Sequence, residues 1–243
     1  MKSILILAHT LDVGAQRLAS ELGAGCTRVL RPEALGVARW SHRVDSRGYA
    51  VTRLSWPNDL LESSSVGAVL NRIQYLPVSQ FRNASPKDRD YAGAELHALV
   101  TSWLAGFGDA ALHNVRRHPW IVPNLPRQHW MERAAEAGLP VVPLSVVSGP
   151  RAHRLTSHYP PPSAASAYQG SVIVAGDRTG GSLVTEFGDR CVAVARDLGF
   201  PILEFSFTSK GLNTIDAHPT LTEPWSCSLI AELLRRTAAG KTS

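Results

Sequence analysis

The C-terminal third of the chain carries the pattern that most restricts its fold. From Cys191 onward an apolar helical segment ends at Gly199, and an apolar strand segment, a turn at Lys210 and a second strand follow. We predict a helix closed by glycine and two antiparallel strands joined by a tight turn. Because alternate residues of a strand point to the same face, Asp216 and His218 at the end of the second strand are expected to project together. A sheet presents metal or phosphate ligands to a cleft in this way.

The first half of the chain predicts an open α/β sheet. Residues 4–8 form an almost continuous apolar strand, Asp12 is a suitable helix N-cap, Gly23 ends the helix, and residues 26–30 form a second strand. This β-α-β order is typical of a parallel sheet. Later patterns predict hairpins over residues 38–55 and 171–184, strands over 66–70, 111–114 and 141–147, and helices over 88–107, 126–138 and 226–236.

Polar residues follow the predicted strand at 66–70. Asn71, Arg72 and Tyr75 come at its C-terminal end, which is the functional edge of open α/β sheets. They are therefore candidates for lining the main cleft of the protein.

A glycine-rich hairpin surrounds Arg178. Residues 176–181, Gly-Asp-Arg-Thr-Gly-Gly, offer backbone N–H groups that suit the binding of an anion. The same residues also suit a plain hairpin turn with an exposed arginine. Both interpretations remain open from the sequence.

The composition narrows the class of protein. With 243 residues, 44% of them hydrophobic and 19% charged, the chain is typical of a globular protein with one large or two small domains. The opening apolar run is too short for a signal peptide or a membrane span, so we expect a cytoplasmic protein that does not associate with membranes. The net charge of +5 comes from arginines that are scattered along the chain, and this does not favour nucleic-acid binding.

Several common catalytic and metal-binding motifs are absent. The 3 cysteines have no C-x-x-C spacing, which argues against a disulfide framework or a structural zinc site. Cys191 lies on the apolar face of the predicted helix and is interpreted as a core residue. The chain has no G-x-S-x-G, G-x-G-x-x-G or P-loop sequence. A serine hydrolase, a dinucleotide enzyme and a P-loop NTPase are therefore not predicted.

The order of the predicted elements resembles that of the ATP-grasp ligases, and most closely their peptide-modifying, RimK-like branch. The segments that carry the resemblance are residues 71–77, 91–95, 103–104, 113–114, 128–130, 134–141 and 172–178, followed by the two C-terminal strands. The resemblance implies an α/β fold with an open-sheet, pre-ATP-grasp-like domain over residues 1–110. A reduced ATP-grasp-like domain is expected over residues 111–243.

The resemblance also implies a chemistry. In this family two adjacent strands supply the ligands that hold Mg²⁺ against ATP, and a carboxylate on a peptide or small molecule is activated as an acyl phosphate for transfer to an amine, hydroxyl or thiol. The matching residues here are Asp216, His218 and Glu204 for the metal, Asn71, Tyr75 and Arg178 for cofactor or acceptor, and Arg178 and Arg72 for catalysis.

Three departures from the family pattern bear on function. The family's small antiparallel clamp, which carries lysines to the phosphates, is replaced by a Pro/Ser-rich segment at 148–170 that has no lysine and predicts a linker. Ser206 stands where the family has an aspartate, with Glu204 on the same strand face. His218 stands where the family has an asparagine, and neutral histidine suits zinc, manganese or iron better than Mg²⁺.

Three functions therefore remain open from the sequence. The first is an ATP-dependent carboxylate–amine ligase that binds ATP and Mg²⁺. The second is a non-catalytic relative, stripped of its clamp, that binds a peptide, a metabolite or a catalytic protein partner. A protein partner or a homodimer is possible from the sequence, and whether such a second chain supplies the missing clamp remains open. The third is an enzyme of different chemistry that uses another divalent metal held by Glu204, Asp216 and His218.

Overall fold

The structure of the protein is a computed structural model that describes residues 2–48, 50–112, 126–142 and 167–241. It divides into two compact units. The first unit comprises Met1–Asn124 and Thr220–Ser243, and the second comprises Leu125–Pro219. Among the described residues, no helix has the length and apolar character that a membrane crossing requires. The open sheets and surrounding helices confirm the predicted α/β class.

A parallel sheet forms the centre of the first unit. Strand β1 (Ser3–Leu7) lies between β2 (Thr27–Leu30) and β6 (Val66–Asn71), and both neighbours run parallel to it. All six residues of β6 are buried, as expected for a strand covered on both faces. Helix α1 (Val13–Leu22) connects β1 to β2, which confirms the predicted β-α-β opening.

An antiparallel sheet forms the second layer of this unit. Its strands are β3 (Arg39–Val44), β4 (Ala50–Trp56) and β5 (Asp59–Glu62), with β4 in the middle. The β3–β4 hairpin confirms the prediction, whereas β5 was not predicted. Its inner residue Leu61 packs with Leu54 in the same core cluster.

Three further helices lie in the described part of the first unit, and the bounds of two agree closely with the prediction. They are α2 (Pro32–Val37), α3 (Pro86–Ala105) and α6 (Pro224–Ala238). Helix α6 lies so close to β6 that a Cβ on Gly67 would be 2.9 Å from the backbone oxygen of Ala238. The chain therefore returns to its first unit at its C-terminal end, which differs from the single boundary expected at residue 110.

The second unit is an antiparallel sheet with helices on one face. Its strands are β7 (Tyr168–Ala175), β8 (Arg178–Gly180), β9 (Ile202–Thr208) and β10 (Gly211–Asp216), in the order β10-β9-β7-β8. Helices α4 (Arg127–Glu136) and α5 (Val184–Leu198) contribute to one core cluster with the inward residues of this sheet. Within the cluster, the rings of Phe187 and Phe207 stack at 4.6 Å. The predicted helix, glycine, strand, turn and strand are all present.

Two segments differ from the prediction in their extent. The predicted linker over 148–170 lies mostly outside the described residues, but Tyr168 to Gly170 belong to β7 and pair with β9. The turn between β7 and β8 consists of Gly176 and Asp177, so it is tighter than the predicted turn over 176–181. A Cβ on Gly181 would lie 2.2 Å from the backbone oxygen of Ser171, so close backbone packing accounts for this glycine.

The strand predicted over 141–147 is described only at its start. Val141 forms a bridge with Leu212, and Val142 donates its N–H to the backbone oxygen of Leu212 at 3.2 Å. Likewise Ala111 bridges Val69 at the start of the strand predicted over 111–114. Leu112 donates its N–H to the backbone oxygen of Val69 at 2.9 Å, and residues 113–114 and 143–147 lie outside the described residues.

His42 predicts a pH dependence of the first unit's stability. Its ring nitrogens lie 2.7 Å from Thr52 Oγ1 and 2.8 Å from Ser102 Oγ, and burial lowers its pKa below 6.5. A lowered pKa means that the folded state takes up the proton less readily than the unfolded state. The free energy of unfolding should therefore decrease as the pH falls from about 6.5 toward the folded-state pKa.

Urea unfolding monitored by tryptophan fluorescence between about pH 8 and pH 5 would measure this effect. The variant His42→Gln keeps a polar side chain but does not titrate in this range, so its free energy of unfolding should fall less steeply with acidification. Equal slopes for the two proteins would contradict the assignment to His42.

Candidate functional site

The β9–β10 pair brings two carboxylates to one face of the second unit's sheet. Glu204 of β9 and Asp216 of β10 are direct partners in the antiparallel register. Side chains of directly opposed residues lie on the same face, with Cβ atoms about 5 Å apart. Leu203 and Phe205, the neighbours of Glu204, point the other way into the core. The two carboxylates therefore lie together on the face that does not carry α4 and α5.

These carboxylates differ in their exposure to solvent. The residue Glu204 is 9% exposed, whereas the side chain of Asp216 is 61% exposed. Along the same face, the next row of the sheet is polar, because Ser206 pairs with Ser171 on one side and Thr214 on the other. Hydroxyl and carboxylate groups in this arrangement are suited to a hydrated cation and its anionic ligands.

Arg178 lies on the same face as the two carboxylates. Its partner in β7 is Ala175, which pairs in turn with Ile202, two residues before Glu204. From ordinary strand spacing, the Cα atoms of Arg178 and Glu204 are about 12 Å apart. The residue is exposed at the edge strand β8. The hairpin thus places a guanidinium on the face of the sheet that carries the carboxylate pair.

His218 occupies a different position from the one that strand alternation predicted. β10 ends at Asp216, so His218 is not part of the strand. Asp216 Oδ1 accepts a hydrogen bond from the backbone N–H of His218 at 2.7 Å and lies 4.0 Å from His218 Nδ1. The turn therefore brings the two residues together through the backbone. One such bond leaves acceptor capacity on the Asp216 carboxylate.

The proposed three-residue metal cluster is not present in the described part of the chain. No group of three or more histidine, cysteine, aspartate or glutamate side chains is arranged there to hold a metal ion. Glu204, Asp216 and His218 therefore do not form the zinc-type site that the third sequence hypothesis required. The two-carboxylate pair, which suits Mg²⁺ in the presence of phosphate oxygens, is unaffected by this finding.

A second cluster of polar side chains lies at the carboxyl ends of β1 and β6. In the order β2-β1-β6 the chain moves from β1 first to one side and later to the other. The carboxyl ends of β1 and β6 are thus a topological switch point, where open α/β sheets form crevices. This explains the position of the predicted residues Asn71, Arg72 and Tyr75, but each of them has a different environment.

Asn71 stabilises the turn that follows β6. The residue is 2% exposed, and its Oδ1 accepts a hydrogen bond from the N–H of Ile73 at 3.1 Å. An amide that is buried and engaged in its own turn is suited to fixing the backbone after β6. It holds the chain in position for the residues that follow.

Arg72 forms a partly buried ion pair with Asp12. Its Nε lies 2.7 Å from Asp12 Oδ2, and the two side chains are 10% and 17% exposed. Asp12 also caps α1, because its Oδ1 accepts from the N–H of Ala15 at 2.9 Å. One carboxylate thus joins the loop after β6 to the start of α1. The sequence predicted the cap but not the pair.

Tyr75 and His9 form the exposed part of this cluster. Their rings stack with centroids 4.3 Å apart and an interplanar angle of 26°. Tyr75 is 62% exposed, and the backbone N–H of Gln74 lies 3.4 Å from His9 Nε2. Sequence reasoning missed His9, although it directly follows the first strand at the same sheet edge as Asn71. The aromatic pair offers a flat, half-exposed surface for a ligand.

The cysteine prediction is confirmed. Cys191 is fully buried in the core of the second unit, and burial raises the pKa of its thiol to about 12. The thiol is therefore protonated at neutral pH, and this residue is not a nucleophile.

The fold is shared with solved ATP-grasp ligases. The RiPP-associated ATP-grasp ligase of Chryseobacterium gregarium, solved in complex with ADP and a leader and core peptide, has a TM-score of 0.69 and 12% identity over 97% of both chains. Macrocyclase MdnC of Microcystis aeruginosa MRC, bound with precursor peptide MdnA, has a TM-score of 0.71 and 11% identity, covering 96% of this chain and 99% of its own. PsnB, complexed with minimal precursor, Mg and ADP, has a TM-score of 0.68 and 12% identity over 97% of both chains.

The likeness is one of structure. No protein-family model matches the chain, and no curated protein sequence matches it either. At these low identities the comparison shows the fold, and it confirms the ATP-grasp-like architecture that the order of elements predicted.

The Asp12–Arg72 pair predicts a measurable coupling energy. Asp12→Asn should keep the helix cap, since asparagine is also a good N-cap, but remove the ion pair. Asp12→Ala removes both contributions. In a double-mutant cycle with Arg72→Ala, we expect a coupling of about 1–2 kcal/mol for this partly buried pair.

The four proteins of the cycle are the native chain, Asp12→Asn, Arg72→Ala and the double variant, and urea unfolding would measure the free energy of unfolding of each. Tyr75→Ala is the matched control at the same sheet edge. Tyr75→Ala should change the free energy of unfolding by less than about 0.5 kcal/mol because its side chain is exposed. A coupling energy near zero would show that the pair does not stabilise the loop.

Proposed function

We propose that the chain is an ATP-dependent, peptide-modifying ligase of the ATP-grasp type. The single observation that carries this proposal is the cross-strand pairing of Glu204 with Asp216 on the sheet face opposite α4 and α5. The shared fold supports it, because the solved neighbours are described with ADP, Mg and precursor peptides. A peptide is therefore the proposed substrate.

The proposed reaction has two steps. A carboxylate oxygen of the peptide attacks the γ-phosphorus of ATP, the bond from this phosphorus to the bridging oxygen breaks, and ADP leaves with the electron pair. An amine or hydroxyl then attacks the acyl carbon of the acyl phosphate. Inorganic phosphate leaves, a proton is released, and an amide or ester forms. Positioning and charge neutralisation are the main demands of the first step.

The residues of the second unit fit Mg²⁺ as the cofactor. Mg²⁺ in phosphoryl-transfer sites takes one or two carboxylates together with phosphate oxygens and water, and Glu204 and Asp216 provide two carboxylates on one face. When bound, the ion would neutralise phosphate charge. His218 is not assigned as a ligand, since a nitrogen donor suits Mg²⁺ poorly.

Arg178 is the proposed phosphate-facing residue. Its guanidinium extends from β8 on the same face as the carboxylates, and arginine binds phosphate oxygens in a bidentate manner. It would orient the transferred phosphoryl group or the acyl phosphate.

Arg72 is proposed as a positioning residue. Its ion pair with Asp12 holds the loop after β6, so that His9 and Tyr75 keep their stacked geometry. Asn71 would act in the same way through its turn. Tyr75 would contact a part of the peptide.

A non-catalytic relative that binds a peptide is the second candidate function. Two sequence observations favour it, namely the absence of lysine in residues 148–170 and the serine at position 206. Without the clamp lysines, the phosphates of ATP would lose part of their counter-charge. Each 1.4 kcal/mol lost in this way weakens binding about tenfold.

Calorimetric titration with Mg-ATP tests the proposed function. We expect micromolar binding to the native chain and at least about tenfold weaker binding to Glu204→Gln and to Asp216→Asn, because each variant removes one anionic metal ligand but keeps the side-chain shape. Asp189→Asn, which removes an exposed carboxylate from α5, is the matched control and should bind normally.

The alternatives give different results. No heat with Mg-ATP in any protein would support the non-catalytic function. Normal binding by both carboxylate variants would place the nucleotide site elsewhere.

A further inference from the structure

We propose that the outer edge of β3 binds an acidic segment of a peptide as an added β-strand. β3 is an edge strand of its sheet, and its residues Arg39–Val44 pair with β4 on one side only. Within residues 2–48 and the other described ranges, the opposite side of β3 makes no backbone hydrogen bond to another element. The inference rests on the proposed function only where it identifies this peptide as the substrate of the ligase.

The strand at this edge is regular along its whole length. Each of the residues from Arg39 to Val44 has a partner in β4, and the register does not shift along the strand. Natural edge strands are commonly protected by a bulge, a proline, a very short length or a covering element. β3 has no proline and no bulge, and at 6 residues it is long enough to pair with a peptide.

The inward side chains hold β3 in place. Trp40 Nε1 donates to the backbone oxygen of Leu35 at 2.9 Å, and its ring lies edge-on to Trp103 at 5.4 Å. His42 lies within hydrogen-bond distance of both Thr52 and Ser102. A fixed backbone lowers the entropic cost of adding a strand, because little of the binding surface must be ordered.

The outward side chains determine the charge of the ligand. Arg39, Ser41 and Arg43 alternate with the inward residues and are exposed. Among the described residues, neither Arg39 nor Arg43 has an ion-pair partner, whereas Arg53 on the same face is paired with Glu62. Residues four apart in a strand are about 13 Å apart on one face. An added strand with two carboxylates at the same spacing would pair with both arginines.

The same charges argue against a second copy of this chain as the occupant. In an edge-to-edge pair of two β3 strands, arginines would face arginines across the new ladder, and like charges in opposed positions destabilise a sheet. The other edge, β5, does not suit an acidic peptide, because it carries Asp59 and Glu62 and has only 4 residues. The edge of β3 therefore favours an acidic peptide.

Fluorescence anisotropy with a synthetic probe tests the proposal in the absence of nucleotide. The probe is a fluorescein-labelled peptide of about eight residues with glutamate at two positions four apart and valine or threonine elsewhere. We expect saturable binding that weakens as salt is raised from about 0.05 to 0.15 M. A matched probe with glutamine at both positions should bind at least about tenfold more weakly, in keeping with the loss of two charge pairs.

Two further comparisons separate strand addition from general charge attraction. The double variant Arg39→Glu and Arg43→Glu should weaken binding at least about tenfold. The control double variant Arg31→Glu and Lys87→Glu makes the same change in net charge at two exposed helix starts and should bind within about twofold of the native chain. Two further probes are N-methylated, each at one of the two alternating sets of backbone nitrogens. N-methylation removes the N–H donors along one edge of the peptide, so the version methylated on the edge that faces β3 should not bind.

The proposal would be overturned if the Arg39 and Arg43 double variant bound the probe as the native chain does. It would also be overturned if the control double variant lost as much binding, or if both N-methylated probes bound fully. So would the absence of any binding by the glutamate probe. Because no nucleotide is present, peptide binding without Mg-ATP binding would overturn the proposed ligase function and leave the peptide-binding edge intact. Mg-ATP binding without peptide binding would do the reverse.

Discussion

The register of β9 is the constraint on which the candidate active site depends. β9 lies between β10 and β7, so a single alignment sets the position of every side chain on both faces. Phe205 and Phe207 require the helix-covered face, and this requirement places Glu204 on the other. A slip of one residue would expose the phenylalanines and bury the carboxylate against the core. The apolar core of the second unit therefore fixes the geometry of the carboxylate pair.

In the first unit, the parallel direction of the strands determines where the candidate residues lie. β1 and β6 are parallel, so the loops that follow them start at the same edge of the sheet. Asp12 joins these loops, because it caps α1 and also binds Arg72. In the proposed function, this ion pair is the contact that keeps the exposed His9–Tyr75 pair in position.

The sequence predicted the elements of the fold better than the contacts of the site. Periodicity and terminating glycines identify α5, β9 and β10, because those signals are local. β5 was missed since its four residues contain too little alternation to be recognised without the neighbouring strand. The Asp12–Arg72 contact joins residues 60 positions apart, and no local pattern encodes it. His218 was misplaced on the strand because the Asx-type bond that ends β10 at Asp216 depends on side-chain conformation.

The arginines illustrate why residue type alone did not assign function. Arg72, Arg53 and Arg43 have the same side chain, and the sequence gives little reason to separate them. In the structure, Arg72 is mostly buried against a helix cap, Arg53 is exposed and paired with Glu62, and Arg43 is exposed on an edge strand without an ion-pair partner in the described part of the chain. Because Arg72 is buried, it is part of the scaffold. Because Glu62 neutralises Arg53, that arginine attracts other anions only weakly. Arg43 retains its full charge beside an unpaired backbone edge, and that combination is what makes the β3 edge a recognition surface for an acidic strand.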